Sequence, residues 1–339
     1  MEIKKDCLKI IIDDESEIGE ARRLATALTR ALNFSETKVS NIAIIVTELG
    51  TNLIKHCNCG EIILRVIEYK DASGVEILSI DRGPGIKDIV TAMKDGYSTK
   101  GTLGGGLGAI KRLSHTFDFY TKEGFGSLFL SRIWNDKFNV GSEKNLLDFG
   151  IISFPKAGED ANGDNYSIRH YADKTVIFLI DGLGHGLNAS ESAIEAVKVF
   201  DNYYTEQPQR LMERISKAIY HTRGGAGVIT LINKTEKTIN FVGIGNISAF
   251  IIENGVRKTM VSQNGIIGED VARIREYTYT FSDDAIIILH SDGITAKWDL
   301  SDYPGIEYRH PAIIAGILYR DFSRGNDDLT AIVVKRGRK

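Results

Sequence analysis

Residues 8–13 (LKIIID) alternate and then run apolar, the spacing of a strand. Residues 16–32 and 36–57 change to a helical period. In the second of these, Val39, Ile42, Ala43, Val46, Leu49, Leu53 and Ile54 form one wide apolar stripe. Strand-like runs follow at 61–69 and 75–81, with Asp71–Gly74 (DASG) reading as the turn between them. After a glycine-rich stretch come a short helix, 107–114, and two strands, 116–121 and 126–134. This order predicts a layered α/β sandwich, with helices on one face of a mainly antiparallel sheet.

The segment 135–145 (NDKFNVGSEKN) is polar and rich in turn formers. It reads as a linker dividing a domain at 1–134 from one at 146–339. Beyond it, strand-like runs recur at 147–154, 164–171, 174–181, 226–233, 237–243, 246–253, 276–281, 284–290 and 328–335, with helices at 186–204, 208–221 and 311–321. Many strands and few helices predict two packed sheets with helices outside, so the whole chain is expected to be α+β. A length of 339 residues agrees with two domains.

Composition narrows the function class. Hydrophobic residues make up 42% and charged residues 26%, an ordinary soluble balance. The net charge of −3 argues against a nucleic-acid binder, which needs a basic face. No apolar run reaches the length of a membrane span, and Asp13 interrupts the N-terminal apolar run too early for a signal peptide. Three cysteines do not make a disulfide framework, so a reducing cytoplasm is the expectation. His56, Cys57 and Cys59 (HCNC) have no second Cys/His cluster to complete a tetrahedral metal shell, and the thiols read as buried or idle.

Two groups of residues carry candidate chemistry. Glu48 and Asn52 stand four apart on the second predicted helix, one turn above each other. An acid and an amide so placed can orient a nucleophile and hold Mg²⁺; the same spacing also suits the solvated edge of an amphipathic helix. Asp81 ends a strand before RGPGI, where a carboxylate can accept from an exocyclic amine and Gly83 and Gly85 let the backbone approach a flat ring. GTLGGGLGAIKRL then places glycines at a helix start, where backbone N–H groups favour phosphate. No Walker A or Rossmann frame surrounds it.

The second group is acidic: Asp164 (NGDNY), Asp181 (LIDGLGHG), Asp292 (LHSDGIT), and Asp327 with Asp328 (GNDDLTAIVV). Three of these motifs join strongly apolar strands. Carboxylates converging from several strands repel one another unless cations lie among them, and hard oxygen ligands select Mg²⁺ or Mn²⁺. Two such ions can hold a hydroxide and a phosphate together. Taken singly, each Asp-Gly also reads as a turn.

In order and spacing, Glu48…Asn52, DRGPGI and GTLGGGLGAIKRL resemble the N, G1 and G2 boxes of the GHKL (Bergerat) ATPase/kinase family. Residues 5–134 resemble most of all its anti-sigma-type serine/threonine kinases, the RsbT kind. That resemblance implies a Bergerat α/β sandwich in which Glu48 activates the acceptor hydroxyl, Asn52 holds Mg²⁺ and Asp81 reads the adenine of ATP. Gly83, Gly85, Thr99, Gly104, Gly106 and Gly108 would complete the nucleotide site, and 87–103 would be a lid. DGLGHGLNASESAIEAV, RGGAGVITLI, VGIGNISAFII, HSDGIT and DDLTAIVV are similar to the SpoIIE/RsbX branch of the PPM metal-dependent phosphatases, over about 147–336. That resemblance implies an α-β-β-α sandwich holding two Mn²⁺ or Mg²⁺ ions. Asp181 would bridge them, the Gly182 carbonyl would bind one, Asp292 and Asp327 would hold the other, and Asp164 would act through a bound water. Asp328 is the less certain of its pair. The family often has a second acidic residue after GDYY; here the stretch is GDNYS, which puts a ligand near residue 167 in doubt, with Glu159 a partial substitute. His185 reads as a positioning group, and 186–221 as a regulatory face.

Together the resemblances imply a kinase and a phosphatase acting on STAS-domain phosphoproteins of a bacterial partner switch, a sigma-factor regulator among the partners. Neither nucleic acid nor membrane is expected as a partner. A homo-oligomer would find its interface at 186–204 or the linker. Two other readings stay open: an ATP-binding docking module attached to a phosphatase, and a generic GHKL ATPase.

Overall fold

The computed structural model describes residues 7–57, 59–69, 71–93, 106–138, 147–269 and 273–337. Its contacts divide the chain into two units, Met1–Lys144 with Tyr308–Ile317, and Asn145–Glu307 with Leu318–Lys339. Residues 139–145 of the linker expected at 135–145 lie outside those described.

The first unit opens with β1 (Leu8–Ile12), α1 (Glu15–Ala31) and α2 (Glu36–Cys57). Asp14 caps α1, and Glu17 returns the bond to the cap's own N–H, so the helix start is fixed by four residues of sequence. β2 (Gly60–Tyr69), β3 (Ala72–Ile80), a single turn α3 (Ile89–Ala92), α4 (Gly106–Leu113), β4 (Thr116–Lys122) and β5 (Gly126–Trp134) follow. The strands form one antiparallel sheet in the order β1-β2-β3-β5-β4. Ala21, Ala25 and Leu28 of α1 and Ile42, Val46, Leu49 and Leu53 of α2 pack with Ile12, Ile62, Leu64, Val75 and Ile77 of the sheet. Within the sheet, Glu76 is buried between Arg65 and Arg132, its neighbours on the two adjacent strands, at 2.9 and 2.6 Å. Burial opposes its charge, but the two guanidinium groups outweigh that and hold its carboxyl below the usual range.

One sequence expectation is corrected here. Ala72 is already paired with Tyr69, so Ala72, Ser73 and Gly74 belong to β3 rather than to a DASG turn. Gly74 is a packing glycine: a β-carbon there would lie 2.8 Å from the Trp134 ring and from Ile67.

The second unit carries β6 (Leu147–Phe154), β7 (Asp164–Tyr171), β8 (Lys174–Gly182), α5 (Leu187–Tyr203), α6 (Pro208–Ala218), β9 (Gly225–Asn233), β10 (Thr238–Ile244), β11 (Ser248–Glu253), β12 (Val256–Thr259), β13 (Tyr277–Thr280), β14 (Ile286–His290) and β15 (Leu329–Arg336). Helix α7 (Pro311–Phe322) precedes β15. Two antiparallel sheets result, β13-β10-β9-β8-β7 and β12-β11-β14-β15-β6. The two-residue period of β8 explains the layering. Ile177 and Leu179 join the core shared with Ile287, Leu289, Ile332 and Val334 of the other sheet. Val176, Phe178 and Ile180 join Ala193, Ala196, Phe200, Leu211 and Ile215 of α5 and α6. Sequence reading missed β12, because all four of its residues are exposed and no apolar alternation marks it.

Candidate functional sites

In the first unit, α2 ends beside the C-terminal end of β3, and a cavity of about 460 Å³ opens there. Glu48, Asn52, Asp81, Gly85 and Gly106 all line it. Its volume suits a small-molecule ligand. Asp81 is buried, and its Oδ1 accepts from the N–H groups of Gly83 and Ser127 at 2.8 and 3.1 Å. Its backbone N–H donates to the Ser127 carbonyl at 3.0 Å. Gly126 makes this seat possible: at φ +83°, a β-carbon there would lie 2.2 Å from the Asp81 carbonyl oxygen. Gly108 is buried inside α4. Gly83 lies against the Cys57 thiol. Thr99 and Gly104 lie outside the described residues, as does residue range 94–103 of the expected lid. Lys55 and Lys87 also border the cavity, with His56, and the two lysines bring positive charge to it, a contribution the motifs did not announce.

In the second unit, Asp164 at the start of β7 sits directly across the register from Asp181 at the end of β8. Asp292 follows β14, and Asp327 with Asp328 precede β15. Asp181, Asp292, Asp327 and Asp328 therefore stand at or near the ends of apolar strands, and Asp164 is held at the start of β7 by its pairing with β8. Asp164 is buried; its Oδ2 accepts from Ser291 Oγ at 2.6 Å and its N–H donates to Asn162 Oδ1 at 3.0 Å. Asp292 Oδ2 accepts from Asn246 at 3.0 Å. Asp328 Oδ1 accepts from the Lys156 N–H at 2.9 Å. Among the described residues, Asp164 Oδ1 and Asp328 Oδ2 are buried without a hydrogen-bond partner. Ser291, Asn162 and Asn246 escaped sequence reading, since polar residues beside glycine or aspartate read as turns.

The electrostatics are those of crowded acids. Burial, then the charges of Asp164, Asp292, Asp327 and Asp328, pushes Asp181 up to about 9. Burial, with Asp328 and Asp292 adding, pushes Asp164 up to about 7 against the Ser291 bond. Burial also raises Asp292 and Asp328. Two orphaned oxygens and mutually raised acids are what a hard divalent cation would relieve, so the donor chemistry fits Mg²⁺ or Mn²⁺. Among the described residues, no three His, Cys, Asp or Glu side chains are gathered closely enough for one ion, so water would complete the shells.

A raised carboxyl holds its proton more tightly folded than unfolded, so this stabilisation is present at low pH and is lost as pH climbs toward the folded value. Without metal, the unfolding midpoint of the second unit is therefore expected to fall by several degrees between about pH 5 and about pH 9. Mn²⁺ is expected to restore it most at the alkaline end. Differential scanning calorimetry checks this; a midpoint independent of pH and metal contradicts it.

His185 pairs with Glu159 at 2.8 Å, which assigns the expected substitute ligand a partner. Ser167 donates to Asp201 at 2.5 Å and is fully buried, so position 167 is engaged away from the carboxylates.

Comparison with known proteins follows the same division. Residues 12–128 match the histidine kinase-like ATPase domain, and residues 171–337 match stage II sporulation protein E. The serine/threonine-protein kinase RsbT of Bacillus subtilis is 32% identical over 123 residues, covering 36% of this chain and 91% of that protein. The phosphoserine phosphatase RsbX of the same species is 24% identical over 146 residues, covering 42% of this chain and 73% of that protein. A crystal structure of RsbX in complex with magnesium superposes with a TM-score of 0.50 at 21% identity, covering 56% of this chain and 96% of that one. Among the described residues no helix is long and apolar enough to cross a membrane.

Proposed function

Since this chain belongs to the histidine kinase-like ATPase family through residues 12–128, together with the RsbT kinase, and matches stage II sporulation protein E over residues 171–337, we propose that it is a bifunctional protein-serine/threonine kinase and PPM-type phosphatase acting on STAS-domain partners in a cytoplasmic bacterial partner switch. The observation that carries the reading is that one chain holds two phosphate-handling arrangements. One is a cavity bordered by the acid Glu48, the amide Asn52 and the buried carboxylate of Asp81; the other is five carboxylates at or near strand ends, two of which carry an orphaned oxygen among the described residues.

In the first unit, Asp81 accepts from the exocyclic amine of adenine, and Gly85 lets the backbone lie close to the base. Gly106, at the start of α4, offers backbone N–H groups to phosphate. Glu48 takes the proton of the acceptor hydroxyl as its oxygen bonds to the γ-phosphorus and ADP departs. Asn52 supplies an amide oxygen to the Mg²⁺ that accompanies ATP. In the second unit, Asp164, Asp181, Asp292 and Asp327, with the Gly182 carbonyl, would hold two divalent ions. When bound, these ions supply a hydroxide and neutralise phosphate charge. Ser291 and Asn246 hold Asp164 and Asp292 in place, and the Glu159–His185 pair stands beside the glycine turn that follows Asp181.

The test is to incubate the chain with ATP, Mg²⁺ and a STAS-domain protein, and to map phosphoserine and phosphothreonine by mass spectrometry. ATP is then withdrawn and Mn²⁺ added, and inorganic phosphate is followed. The reading requires label on one hydroxyl and its later release. Release from a phosphorylated partner without any prior transfer would instead support the docking-module reading. ATP hydrolysis with no protein acceptor would support a generic ATPase.

A further inference from the structure

Cys57 is the last residue of α2 and lines the first cavity beside Asp81. The roles proposed above leave it unused. Its sulfur and the Asp81 carboxylate face the same point: a β-carbon on Gly83 would stand 2.8 Å from Cys57 Sγ and 3.0 Å from Asp81 Oδ1. Both flank Gly83, so the thiol stands where it can join the backbone N–H groups of Gly83 and Ser127 as a donor to this carboxylate. Gly83 leaves the room in which they meet.

Resting on the nucleotide reading of this cavity, we propose that Cys57 is a positioning residue for base recognition, its S–H fixing the Asp81 carboxylate so that it accepts from the exocyclic amine of a 6-aminopurine. Burial, followed by the charge of Asp81, pushes the thiol up to about 12, so it keeps its proton and remains a donor through the neutral range. Two backbone donors fix one carboxylate oxygen; a donor from the helix side limits rotation of the group about its bond to Cβ. The helix also links the two ends of the site. Glu48 and Cys57 stand nine residues apart on α2, about 13 Å along one rigid element. A nucleotide seated by Cys57 and Asp81 at its base is thereby registered against Glu48 at the reacting end.

The experiment compares two ligands on the full chain, ATP and the triphosphate of purine riboside, which lacks the 6-amino group, by competition against a fluorescent ADP analogue. Cys57→Ala is expected to weaken ATP about tenfold, the loss of one hydrogen bond to a charged group, while purine riboside triphosphate changes less than about twofold. Cys57→Ser, which keeps a donor, is expected to bind ATP within about threefold of wild type. Cys57→Val repeats the comparison with the volume kept, in case the alanine variant folds poorly. Equal losses for both nucleotides would make Cys57 a packing residue and overturn the proposal, as would ATP binding indifferent to every substitution at Cys57. Asp81→Asn separates the two levels of the argument. If it leaves ATP affinity unchanged, the nucleotide reading fails and the Cys57 role fails with it. If it abolishes ATP selectivity while the Cys57 variants do nothing, the nucleotide reading stands and the Cys57 role alone is lost.

Discussion

Phosphoserine hydrolysis by the Asp181→Asn chain is expected to fall on the order of a thousandfold, the several kcal/mol that a polarising cation contributes, while ATP binding stays at its wild-type value. Asp181 stands opposite Asp164 across β7 and β8 and feels the charge of every other carboxylate in the group. Asparagine keeps its shape and removes its charge, so the substitution isolates what that charge does. The same substitution should not weaken the metal-free fold. Burial already disfavours the Asp181 charge, so removing it should raise the unfolding midpoint at pH 8 in the absence of metal, where the wild-type carboxyl is partly ionised. Lost activity together with a raised midpoint cannot be ascribed to unfolding. Colorimetric phosphate release and calorimetry measure the two quantities. Hydrolysis at the wild-type rate would remove the metal assignment of Asp181.

The second large effect is expected at Glu48. Glu48→Ala should lower transfer to a protein hydroxyl by about 10²- to 10⁴-fold, the contribution of a placed general base, with ATP affinity changed no more than a few-fold. Glu48 lines the same cavity as Asp81, one helical turn from Asn52 on α2. Its carboxylate is assigned to the acceptor rather than to the nucleotide, so kcat should fall and nucleotide binding should persist. Single-turnover labelling with γ-labelled ATP gives the rate directly. Transfer undiminished in the variant would deny Glu48 this role.

Much of this was legible in the residues themselves. β8 and β15 are apolar strands that end beside Asp181 or begin after Asp328, and β14 is a short apolar strand two residues before Asp292, so their strand character and the place of these aspartates at or near strand ends could be read together. α1 and α2 announce themselves by period and, for α1, by the Asp14 cap. What escaped depends on tertiary neighbours. Gly74 looks like a turn glycine until Trp134 is placed over it. Ser167 stands where an acidic ligand was in doubt, and its hydroxyl bonds Asp201 on α5. Cys57 looked like an idle thiol, because nothing local says that the end of α2 meets the end of β3. Ser291 and Asn246 orient acids that lie far from them in sequence or on another strand end, a relation no short motif encodes.

The central claim is that opposing reactions reside in one chain, and the steady-state phosphorylation of one STAS-domain protein tests it most directly. Wild type, Asp181→Asn and Glu48→Ala would each be held with ATP, Mg²⁺ and Mn²⁺ until phosphate occupancy is constant, and occupancy read by intact-protein mass spectrometry. The account predicts intermediate occupancy with wild type, near-complete occupancy with Asp181→Asn and almost none with Glu48→Ala. The same occupancy with all three proteins would contradict it.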